Sequence, residues 1–478
     1  MKNEKPLTQS DWLRVFIFWG ILIAITFLVR NIPFFWDNIL LSSKYAHYFL
    51  ENGYDGLLVD SDIDCGHPTL FGMYLSIAWK IFGYTLSVAH FAMLPFLFLL
   101  SFSYYKIQKY FVLESLLSIS LLFYLCEPSL MAQCTMVTSE IVMLSGLLWG
   151  ISAILYDKKF QIILATIMMA SVSLRGAIMV FILYVIGMIF YKIRDGKIKL
   201  NLALYFIPSF VFFMIWNIYH YKHTGWYLVG GNPKWAEHYQ AVGLKDILKN
   251  CFLIIRNLLD FGRIFMWLTM FSISIIFYKK IKELCNKKKT TILLSFIISI
   301  ILFSLFVIFI ANPIGHRYMM LWYILAIILF LQASEAIKPT FLRKTTLIIT
   351  ALFVLTGNLW IYPDKIAQGW DSTLGHLPYF GLREKAFNYI EEQELGNDRI
   401  GAGFMLHSDS RFVDLKTRTF SIEDKEKGIQ KFDYILYSNI NNDYSDQEID
   451  DLYKNWILEK EFCSRGLCIK LFRRNNFL

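Results

Sequence analysis

An acidic residue stands directly after the first long apolar run of the chain, at Asp37 in "RNIPFFWDNIL" (30–40). A carboxylate at the boundary of a membrane is costly to desolvate, so a residue of this kind is a functional candidate. Such a carboxylate could accept the proton of a substrate hydroxyl. The alternative is a solvated helix end, since an Asp there can reach water or cap the helix that follows.

Three further residues suit a site of proton transfer. Asp64 and His67 lie in the loop that follows, in "DSDIDCGHPTLFG" (60–72), and Glu140 stands near the start of a later apolar run. One carboxylate could take the proton while the others position it or hold a divalent cation such as Mg²⁺ or Mn²⁺. The sequence leaves the need for a metal ion open.

Basic residues stand beside apolar runs in two places. Arg175 lies at the junction of two such runs, and "NPIGHRYMM" (312–320) places His316, Arg317 and Tyr318 at the start of a late one. The planar donors of an arginine at headgroup depth can bind a phosphate in bidentate fashion. The alternative for Arg317 is a long side chain that only reaches to the interface. Acids and cations on one membrane face would suit a reaction between a lipid phosphate and a hydroxyl.

The composition is that of a polytopic membrane protein. Of the 478 residues, 56% are hydrophobic and 18% are charged, whereas soluble domains average about 25% charged residues. Apolar runs, many of about 20 residues, recur along the chain, and that length crosses a bilayer core. The net charge of +9 would suggest nucleic acid in a soluble chain. Here the lysines lie mostly between apolar runs, so they indicate orientation in the membrane and no nucleic-acid partner.

These runs predict an all-α bundle of about eleven transmembrane helices. The runs 160–174 and 177–191 could also form a broken pair that meets at Arg175 and Gly176. The predicted spans are 13–31, 86–105, 111–126, 136–156, 160–174, 177–191, 201–219, 263–278, 290–311, 318–335 and 345–362.

Basic residues mark every second connection between the predicted spans, and membrane proteins keep such residues on the cytoplasmic side. The N-terminus, with Lys2, Lys5 and Arg14, is therefore predicted inside, and residues 32–85 and all residues after 362 outside. No small-residue cleavage site follows the first span, so we expect it to stay in the chain. The lack of Asn-X-Ser/Thr sequons and the Ile-, Lys- and Asn-rich composition favour a bacterial inner membrane.

Two short helices are predicted in the first outer loop. Residues 38–52 have one apolar and one polar helical face, which suits a helix lying in the interface. Residues 68–83 are apolar but short and carry Lys80, so they predict a second interfacial or re-entrant helix. The apolar face of the first comprises Leu41, Tyr45, Tyr48 and Phe49, and its polar face Ser42, Lys44, His47 and Glu51.

The polar residues 363–478 predict a separate extracytoplasmic domain after a transmembrane module over 1–362. Cys463 and Cys468 flank a candidate hairpin turn, and they could form a disulfide in an oxidising compartment or remain two thiols. The alternating pattern indicates a small α/β domain. Helices are predicted over 383–394 and 446–458, and strands over 399–406, 431–439 and 468–474.

In these residues the chain resembles the membrane glycosyltransferases with the GT-C fold, in particular the branch of protein mannosyltransferases and aminoarabinose transferases. Members carry an Asp after the first span, a His-Pro-Pro-Leu element before an apolar helix that ends in Phe-Gly, an acid that opens the fourth span, and an Arg-Tyr pair entering a late span. The matching residues are Asp37, "GHPTL" (66–70), "IFG" (81–83), Glu140 and "HRYMM" (316–320). The departures from the pattern are Asn38 for Glu, Thr69 for the second Pro, and Glu140 for Asp.

The resemblance implies an inverting transfer of a sugar from a polyprenyl-phosphate carrier to a hydroxyl of a glycan, lipid or protein acceptor outside the cytoplasm. Asp37 would accept the proton of that hydroxyl. Basic residues would offset the charge of the departing lipid phosphate. The donor phosphate is assigned to Arg175, His316, Arg317 and Tyr318, and the acceptor or sugar to Asp64, His67 and Glu140. Asp64 and His67 could instead orient Asp37.

A transporter or lipid flippase is the alternative from another functional class. Such proteins place ionisable groups near mid-bilayer and often have two similar halves, whereas this chain keeps its acids near one face. A non-catalytic subunit that retains the fold is a third reading. The loop 219–240 is rich in Trp, Tyr and His, which suits stacking on sugar rings or an aromatic belt at the interface.

Overall fold

The structure, a computed structural model, describes residues 6–227, 236–311, 314–440 and 443–475. Lys2, Lys5, the middle of the predicted 219–240 loop, and Asn312 with Pro313 lie outside these residues. The first part of the chain is helical. Its helices are α1 (Gln9–Val29), α2 (Tyr45–Asn52), α3 (Leu70–Phe82), α4 (Leu86–Phe91), α5 (Leu94–Phe111), α6 (Leu117–Cys126), α7 (Pro128–Cys134), α8 (Ser139–Leu155), α9 (Lys159–Ala170), α10 (Leu174–Asp195), α11 (Ile207–Thr224), α12 (Leu244–Leu259), α13 (Arg263–Ile276), α14 (Tyr278–Leu284), α15 (Lys287–Val307), α16 (Met320–Ser334) and α17 (Thr340–Leu355).

The second part carries a small sheet with helices beside it. Its helices are α18 (Pro378–Glu392), α19 (Phe404–His407), α20 (Ser410–Val413) and α21 (Asp446–Asn455). Its strands are β1 (Ile400–Ala402), β2 (Glu423–Asp424), β3 (Tyr434–Ser438), β4 (Ile457–Ser464) and β5 (Leu467–Arg473).

Several of the predicted apolar runs fold into helices of membrane length. Across the described residues, six helices are long and apolar enough to cross a membrane, or up to eight if two bent pairs each count as one span. The bent pairs are α6 with α7, at 72°, and α12 with α13, at 80°. Each of the eleven predicted runs contains a helix, but α8 and α9 are shorter than a full crossing and α11 is more polar. The chain is therefore an integral membrane protein.

Helices α8 and α16 form the centre of the bundle. Almost every side chain of α8 is buried, and so is 83% of the apolar stretch that ends with α16. A helix that is apolar on all sides is expected inside a bundle, where other helices cover it. Both helices begin beside candidate residues, since Glu140 lies in the first turn of α8 and Arg317 precedes α16.

The candidate residues gather at one end of the bundle. At the opposite end, Lys109 of α5 pairs with Asp11 in the first turn of α1. Asp37 follows the far end of α1, and α10 likewise carries Arg175 in its first turn and Arg194 in its last turn. The lysine-rich connections and the candidate site therefore lie at opposite ends of the helices.

The segment 38–52, predicted to lie in the interface, packs partly against other parts of the protein. Ile39–Lys44 form a π-helix that continues into α2, and Ser42 and His47, predicted on the polar face, are 0% and 2% exposed. The ring of His47 packs on Trp79 of α3 and on Phe412 of α20, with centroids 5.1 and 4.9 Å away. Part of the predicted polar face is therefore packed against protein, and Phe412 of the C-terminal domain covers His47.

The C-terminal domain is built on a five-stranded mixed sheet in the order β2-β1-β3-β5-β4. The parallel strands are β2, β1 and β3, and β5 runs antiparallel to both β3 and β4. The end of the predicted helix 446–458 is wrong, because Ile457 and Leu458 begin β4, an exposed edge strand without a clear apolar alternation. Cys463 and Cys468 face each other across the β4–β5 hairpin and form a disulfide.

His376 joins the domain to the segment before Asp37. Its ring stacks on Phe35 with centroids 4.7 Å apart, its Nδ1 donates to the carbonyl oxygen of Thr373 at 2.6 Å, and its Nε2 is buried without a hydrogen-bond partner. Burial lowers the pKa of His376 to about 4. The unfolded chain takes up this proton near pH 6.5, so the folded state loses stability as the pH falls from there toward 4.

We expect the His376→Phe variant to lose less of its apparent Tm than the wild type between pH 6.5 and pH 4. The phenyl ring of the variant can still stack on Phe35, but it cannot be protonated. In the wild type, the preference of the unfolded chain for the protonated histidine lowers the stability of the folded state by on the order of 3 kcal/mol at pH 4. Thermal unfolding of the detergent-purified protein across this range measures the effect. His223→Phe, at an exposed position, is the control, and equal acid sensitivity of all three proteins would contradict the assignment.

Candidate active site at the ends of the helices

Asp37 and Arg317 are in direct contact at one end of the bundle. Asp37 lies in the turn after α1, and its Oδ2 accepts a hydrogen bond from Nη2 of Arg317. Arg317 lies in the 3₁₀ turn His316–Met319 that leads into α16. The side chain of Asp37 is 44% exposed, whereas that of Arg317 is 8% exposed. A substrate can therefore reach the carboxylate from outside the bundle while the guanidinium stays buried behind it.

A second carboxylate holds the other side of Arg317. Asp371, from the 3₁₀ turn Trp370–Ser372 that follows the bundle, accepts from Nη1 of Arg317 through its Oδ2. Its side chain is 7% exposed. Arg317 is thus shared between an accessible carboxylate and a buried one, and charge-assisted bonds of this kind are about twice as strong as neutral ones.

Glu140 and Arg175 form the neighbouring pair. Glu140 lies in the first turn of α8, where Thr138 caps the helix and the helix dipole favours an acid. Arg175 lies in the first turn of α10, and its Nη2 donates to Oε1 of Glu140. The next residue is Gly176, whose backbone lies so close to the Met169 carbonyl oxygen that a Cβ there would clash. This close packing of α10 on α9 fixes the position of Arg175.

Tyr318 holds the two guanidinium groups side by side. The Cζ of Arg175 lies 3.7 Å from the centroid of the Tyr318 ring, and that of Arg317 lies 5.2 Å from it. Nε of Arg317 is 3.9 Å from Oε1 of Glu140. Oε2 of Glu140, Nη1 of Arg175 and Nε of Arg317 are buried without a hydrogen-bond partner. The centre of the site therefore offers two donors and one acceptor for a polar ligand.

His67 links the first loop to α10. Its Nδ1 accepts a hydrogen bond from the backbone N–H of Leu174 at 3.1 Å, so the proton of the neutral ring is on Nε2. Burial, assisted by the charge of Arg175, lowers the pKa of His67 to about 4, while Asp37 and Asp64 act in the opposite sense. The ring is therefore neutral at physiological pH, and it can donate to a substrate through Nε2.

Asp64 uses both carboxylate oxygens inside the protein. Oδ1 accepts from the backbone N–H of Gly66 at 2.7 Å, and Oδ2 accepts from Nε2 of His220 at 2.8 Å. His220 lies at the end of α11, and both side chains are 2% exposed. Asp64 thus fixes the loop that carries His67 against α11.

His316 points away from Arg317. Its Nε2 donates to Oδ2 of Asp260 at 2.9 Å, and its ring packs on Phe261 with centroids 4.5 Å apart. Tyr362 donates to the other oxygen of Asp260. The structure therefore places His316 in a neighbouring network, at the bend between α12 and α13, and not between Asp37 and Arg317.

The described part of the loop 219–240 includes one tyrosine with a shifted pKa. Tyr239 lies in the 3₁₀ turn Ala236–Tyr239, and burial raises its pKa to about 12, with Tyr318 and Asp37 acting in the same direction and Arg175 against them.

The carboxylates of the site are arranged around guanidinium groups and not around a common point. Among the described residues, no three of Asp37, Asp64, His67 and Glu140 bring ligand atoms within 4.8 Å of one another. Asp37 and Glu140 each place an oxygen on an arginine, whose positive charge would repel a divalent cation. The described residues of the site therefore show no three-ligand cluster for Mg²⁺ or Mn²⁺, and its carboxylates are held by arginines.

Solved structures identify the fold. The chain superposes on ArnT from Cupriavidus metallidurans bound to undecaprenyl phosphate with a TM-score of 0.55, and on the apo state of the same protein with a TM-score of 0.54. In both cases 97% of this chain and 98% of the other chain are covered. The chain has the ArnT fold. Sequence identity to both is 10%, and neither a protein-family model nor a curated protein matches the sequence.

ArnT is an aminoarabinose transferase with the GT-C fold. The resemblance that the sequence suggests is therefore confirmed at the level of the fold. The ArnT fold extends over the C-terminal domain as well as the helical bundle, because the superposition covers nearly the whole of both chains.

Two residues around the site were not expected from the sequence. Asp371 stands in "GWDSTLGH" (369–376), where small and polar residues follow the last apolar run almost directly. His220 stands in "YHYKH" (219–223), at the end of an apolar run. For His220 the signal was an ionisable residue next to a predicted span, the same signal that singled out Asp37. Asp371 lies beyond the last predicted span and carried no such signal.

Proposed function

We propose that this protein is an inverting glycosyltransferase that moves a sugar from a polyprenyl-phosphate donor to an acceptor hydroxyl. The observation that carries the proposal is the contact between the accessible carboxylate of Asp37 and the buried guanidinium of Arg317. The ArnT fold supports it, and so does the undecaprenyl phosphate bound in one of the two similar structures.

In the proposed reaction the oxygen of the acceptor hydroxyl attacks the anomeric carbon while Asp37 takes the hydroxyl proton. The bond between the anomeric carbon and the phosphate oxygen breaks, and its electron pair stays on the phosphate. Negative charge therefore grows on the phosphate as the reaction proceeds. Arg317 and Arg175 are fixed beside this position, and preorganised donors of this kind stabilise developing charge without reorganisation.

The charges of the site indicate how the donor enters. Two arginines and the three carboxylates of Asp37, Glu140 and Asp371 give a net charge of −1, so a further anion has to displace a carboxylate from an arginine. Asp37 is the most exposed of the three. A donor phosphate that takes its place on Nη2 of Arg317 leaves Asp37 free to accept a proton, so donor binding would switch the base on.

Other residues take supporting roles in this proposal. Oε2 of Glu140 accepts a hydrogen bond from a sugar hydroxyl, and His67 donates to the acceptor through Nε2. Asp64 holds the loop that carries His67. Tyr318 keeps the two guanidinium groups adjacent, and His316 contributes to the phosphate site through the backbone turn that it shares with Arg317.

The proposed location is the inner membrane of a bacterium, with about eleven spans, the N-terminus in the cytoplasm and the site outside. The lysine-rich connections at the end opposite the site support this orientation. Cys285 lies among those connections and is exposed, so it supplies a built-in reporter of the cytoplasmic side.

We expect an impermeant thiol reagent added to intact spheroplasts to label a Glu394→Cys variant and to spare Cys285. Glu394 is exposed in the C-terminal domain, which is proposed to lie outside. Cys285 should react only after the membrane is permeabilised. The opposite pattern, with Cys285 labelled first, would contradict the orientation.

Incubation of the purified protein with a panel of polyprenyl-phosphate sugars tests the proposed function. We expect one donor to release polyprenyl phosphate, at a rate that rises with an added acceptor. Movement of a lipid-linked sugar across proteoliposome membranes with its phosphate bond intact would instead indicate a flippase. A protein that neither cleaves nor binds any member of the panel would contradict the proposal.

A further inference from the structure

The segment that joins α17 to the C-terminal domain, residues 360–376, crosses the candidate site; we call it the connecting segment. Tyr362 near its start donates to Asp260 at the α12–α13 bend. Further along, Gly369 lies against His316 so closely that a Cβ there would be 2.5 Å from the imidazole Nδ1. The connecting segment is therefore packed on the turn that carries Arg317.

The backbone around Asp371 is tied to α7. The side chain of Gln133 donates to the carbonyl oxygen of Asp371 at 2.8 Å, and the hydroxyl of Ser129 donates to the carbonyl oxygen of Ser372 at 3.2 Å. The hydroxyl of Ser372 donates to Oδ1 of Asp371 at 3.1 Å. With Oδ1 held by its neighbour, Asp371 presents Oδ2 to Nη1 of Arg317.

We infer that Asp371 is a positioning residue that keeps one side of Arg317 occupied and so prevents the guanidinium from closing on Asp37. This inference rests on the proposed function, because it concerns the exchange of Asp37 for the donor phosphate. It gives the connecting segment a part in the reaction, although the segment supplies no group that touches the substrates.

The reason lies in the geometry of arginine. A guanidinium next to a single carboxylate forms two parallel hydrogen bonds, which are stronger than one. Arg317 contacts Asp37 through Nη2 and Asp371 through Nη1. A donor phosphate therefore has to displace Asp37 from one nitrogen only, and the arginine keeps its place during the exchange.

Burial determines which carboxylate is exchanged. The side chain of Asp371 is 7% exposed, against 44% for Asp37. A buried carboxylate that loses its partner is left without compensation, whereas an exposed one is taken up by water. Asp371 therefore stays on Arg317 while Asp37 leaves.

Binding of undecaprenyl phosphate to the full-length protein in detergent tests this inference with four proteins: the wild type, Asp37→Asn, Asp371→Asn and the double variant. When the charge of Asp371 is removed, Arg317 closes on Asp37. We therefore expect Asp371→Asn to weaken the binding of undecaprenyl phosphate by about tenfold. Asp37→Asn removes the competitor and should bind at least as tightly as the wild type. In the double variant there is no carboxylate to close on, so we expect its affinity to match that of Asp37→Asn within about threefold.

A merely structural role for Asp371 gives a different result. The substitution would then weaken binding by the same factor whether residue 37 is Asp or Asn, and that result would overturn the inference. An Asp371→Asn variant that binds as well as the wild type, or better, would overturn it too.

Gln133→Ala is the matched control, because it removes a tether of the same segment without touching Arg317. We expect it to bind undecaprenyl phosphate within about threefold of the wild type. A loss as large as that in Asp371→Asn would mean that the tether and not the charge matters, which overturns the inference. A wild-type protein that does not bind undecaprenyl phosphate would count against the proposed donor itself. If the wild type binds and the effects of Asp37→Asn and Asp371→Asn on affinity simply add in the double variant, only the role of Asp371 is contradicted.

Discussion

Replacement of Asp37 by asparagine is expected to lower the turnover of a polyprenyl-phosphate sugar by about 10²- to 10⁴-fold, the range for loss of a general base. An asparagine has the same size and can still accept a hydrogen bond from Arg317, but it cannot take the proton of the acceptor hydroxyl. Donor binding is expected to survive, because the substitution replaces a charged competitor for Arg317 by a neutral and weaker one. Measuring kcat and the affinity for undecaprenyl phosphate in one preparation separates the two effects.

Asp55→Asn is the matched control for this prediction. Asp55 is an exposed acid between α2 and α3, and its substitution should leave turnover unchanged. If Asp37→Asn turned over the donor as fast as the wild type and the control, the base would have to lie elsewhere.

The second large effect is expected for Arg317→Lys. Lysine keeps the positive charge but carries its donors on one nitrogen, so it cannot hold Asp371 and a phosphate through separate nitrogens as the guanidinium does. We expect kcat/KM for the donor to fall on the order of 10²-fold, as when a single preorganised donor to developing charge is lost. Steady-state kinetics over a range of donor concentrations measures the fall and divides it between KM and kcat.

Lysine is a more informative substitution than alanine at this position, because it is expected to disturb the fold less. Arg317→Ala would leave the buried carboxylates of Asp371 and Glu140 with less compensation, and breaking a buried pair costs about 3–5 kcal/mol of folding stability. Arg411→Lys serves as the control, since Arg411 is half exposed and pairs with Glu51 at 3.5 Å. If Arg317→Lys left both the KM for the donor and kcat unchanged, this result would contradict the role of Arg317 at the donor phosphate.

The sequence located the main polar pair of the site because charged residues next to apolar runs are rare and therefore visible. Asp37 and Arg317 are 280 residues apart in the chain, yet both stand at the ends of predicted spans, and the alternation of basic loops placed them on one side. Glu140 and Arg175 were found by the same criterion. That both pairs converge follows from helix lengths, since each helix carries its terminal residue to the same end of the bundle.

Asp371 could not be assigned from the sequence because its position depends on a backbone that has no periodic pattern. The connecting segment is fixed by contacts with residues far away in the chain, among them Gln133 and Ser129. His316 stands beside Arg317, but a 3₁₀ turn directs consecutive side chains to different sides, so the two residues have different partners.

The C-terminal domain explains the remaining differences. Its α20 covers the segment before α2, so the polar face around His47 meets Phe412 instead of water. A pattern of polar and apolar residues cannot distinguish a solvated face from one that a later domain covers. The exposed edge strand β4 was partly mistaken for helix for a related reason, because exposed strands have little apolar alternation to read.

The most direct test of the Asp37–Arg317 mechanism is the configuration at the anomeric carbon of the product formed from a polyprenyl-phosphate sugar of known configuration. A single attack by an acceptor hydroxyl that Asp37 deprotonates inverts this carbon. We predict inverted product from the wild type and almost none from Asp37→Asn in the same time. Product of retained configuration would require a second displacement step and would contradict the mechanism.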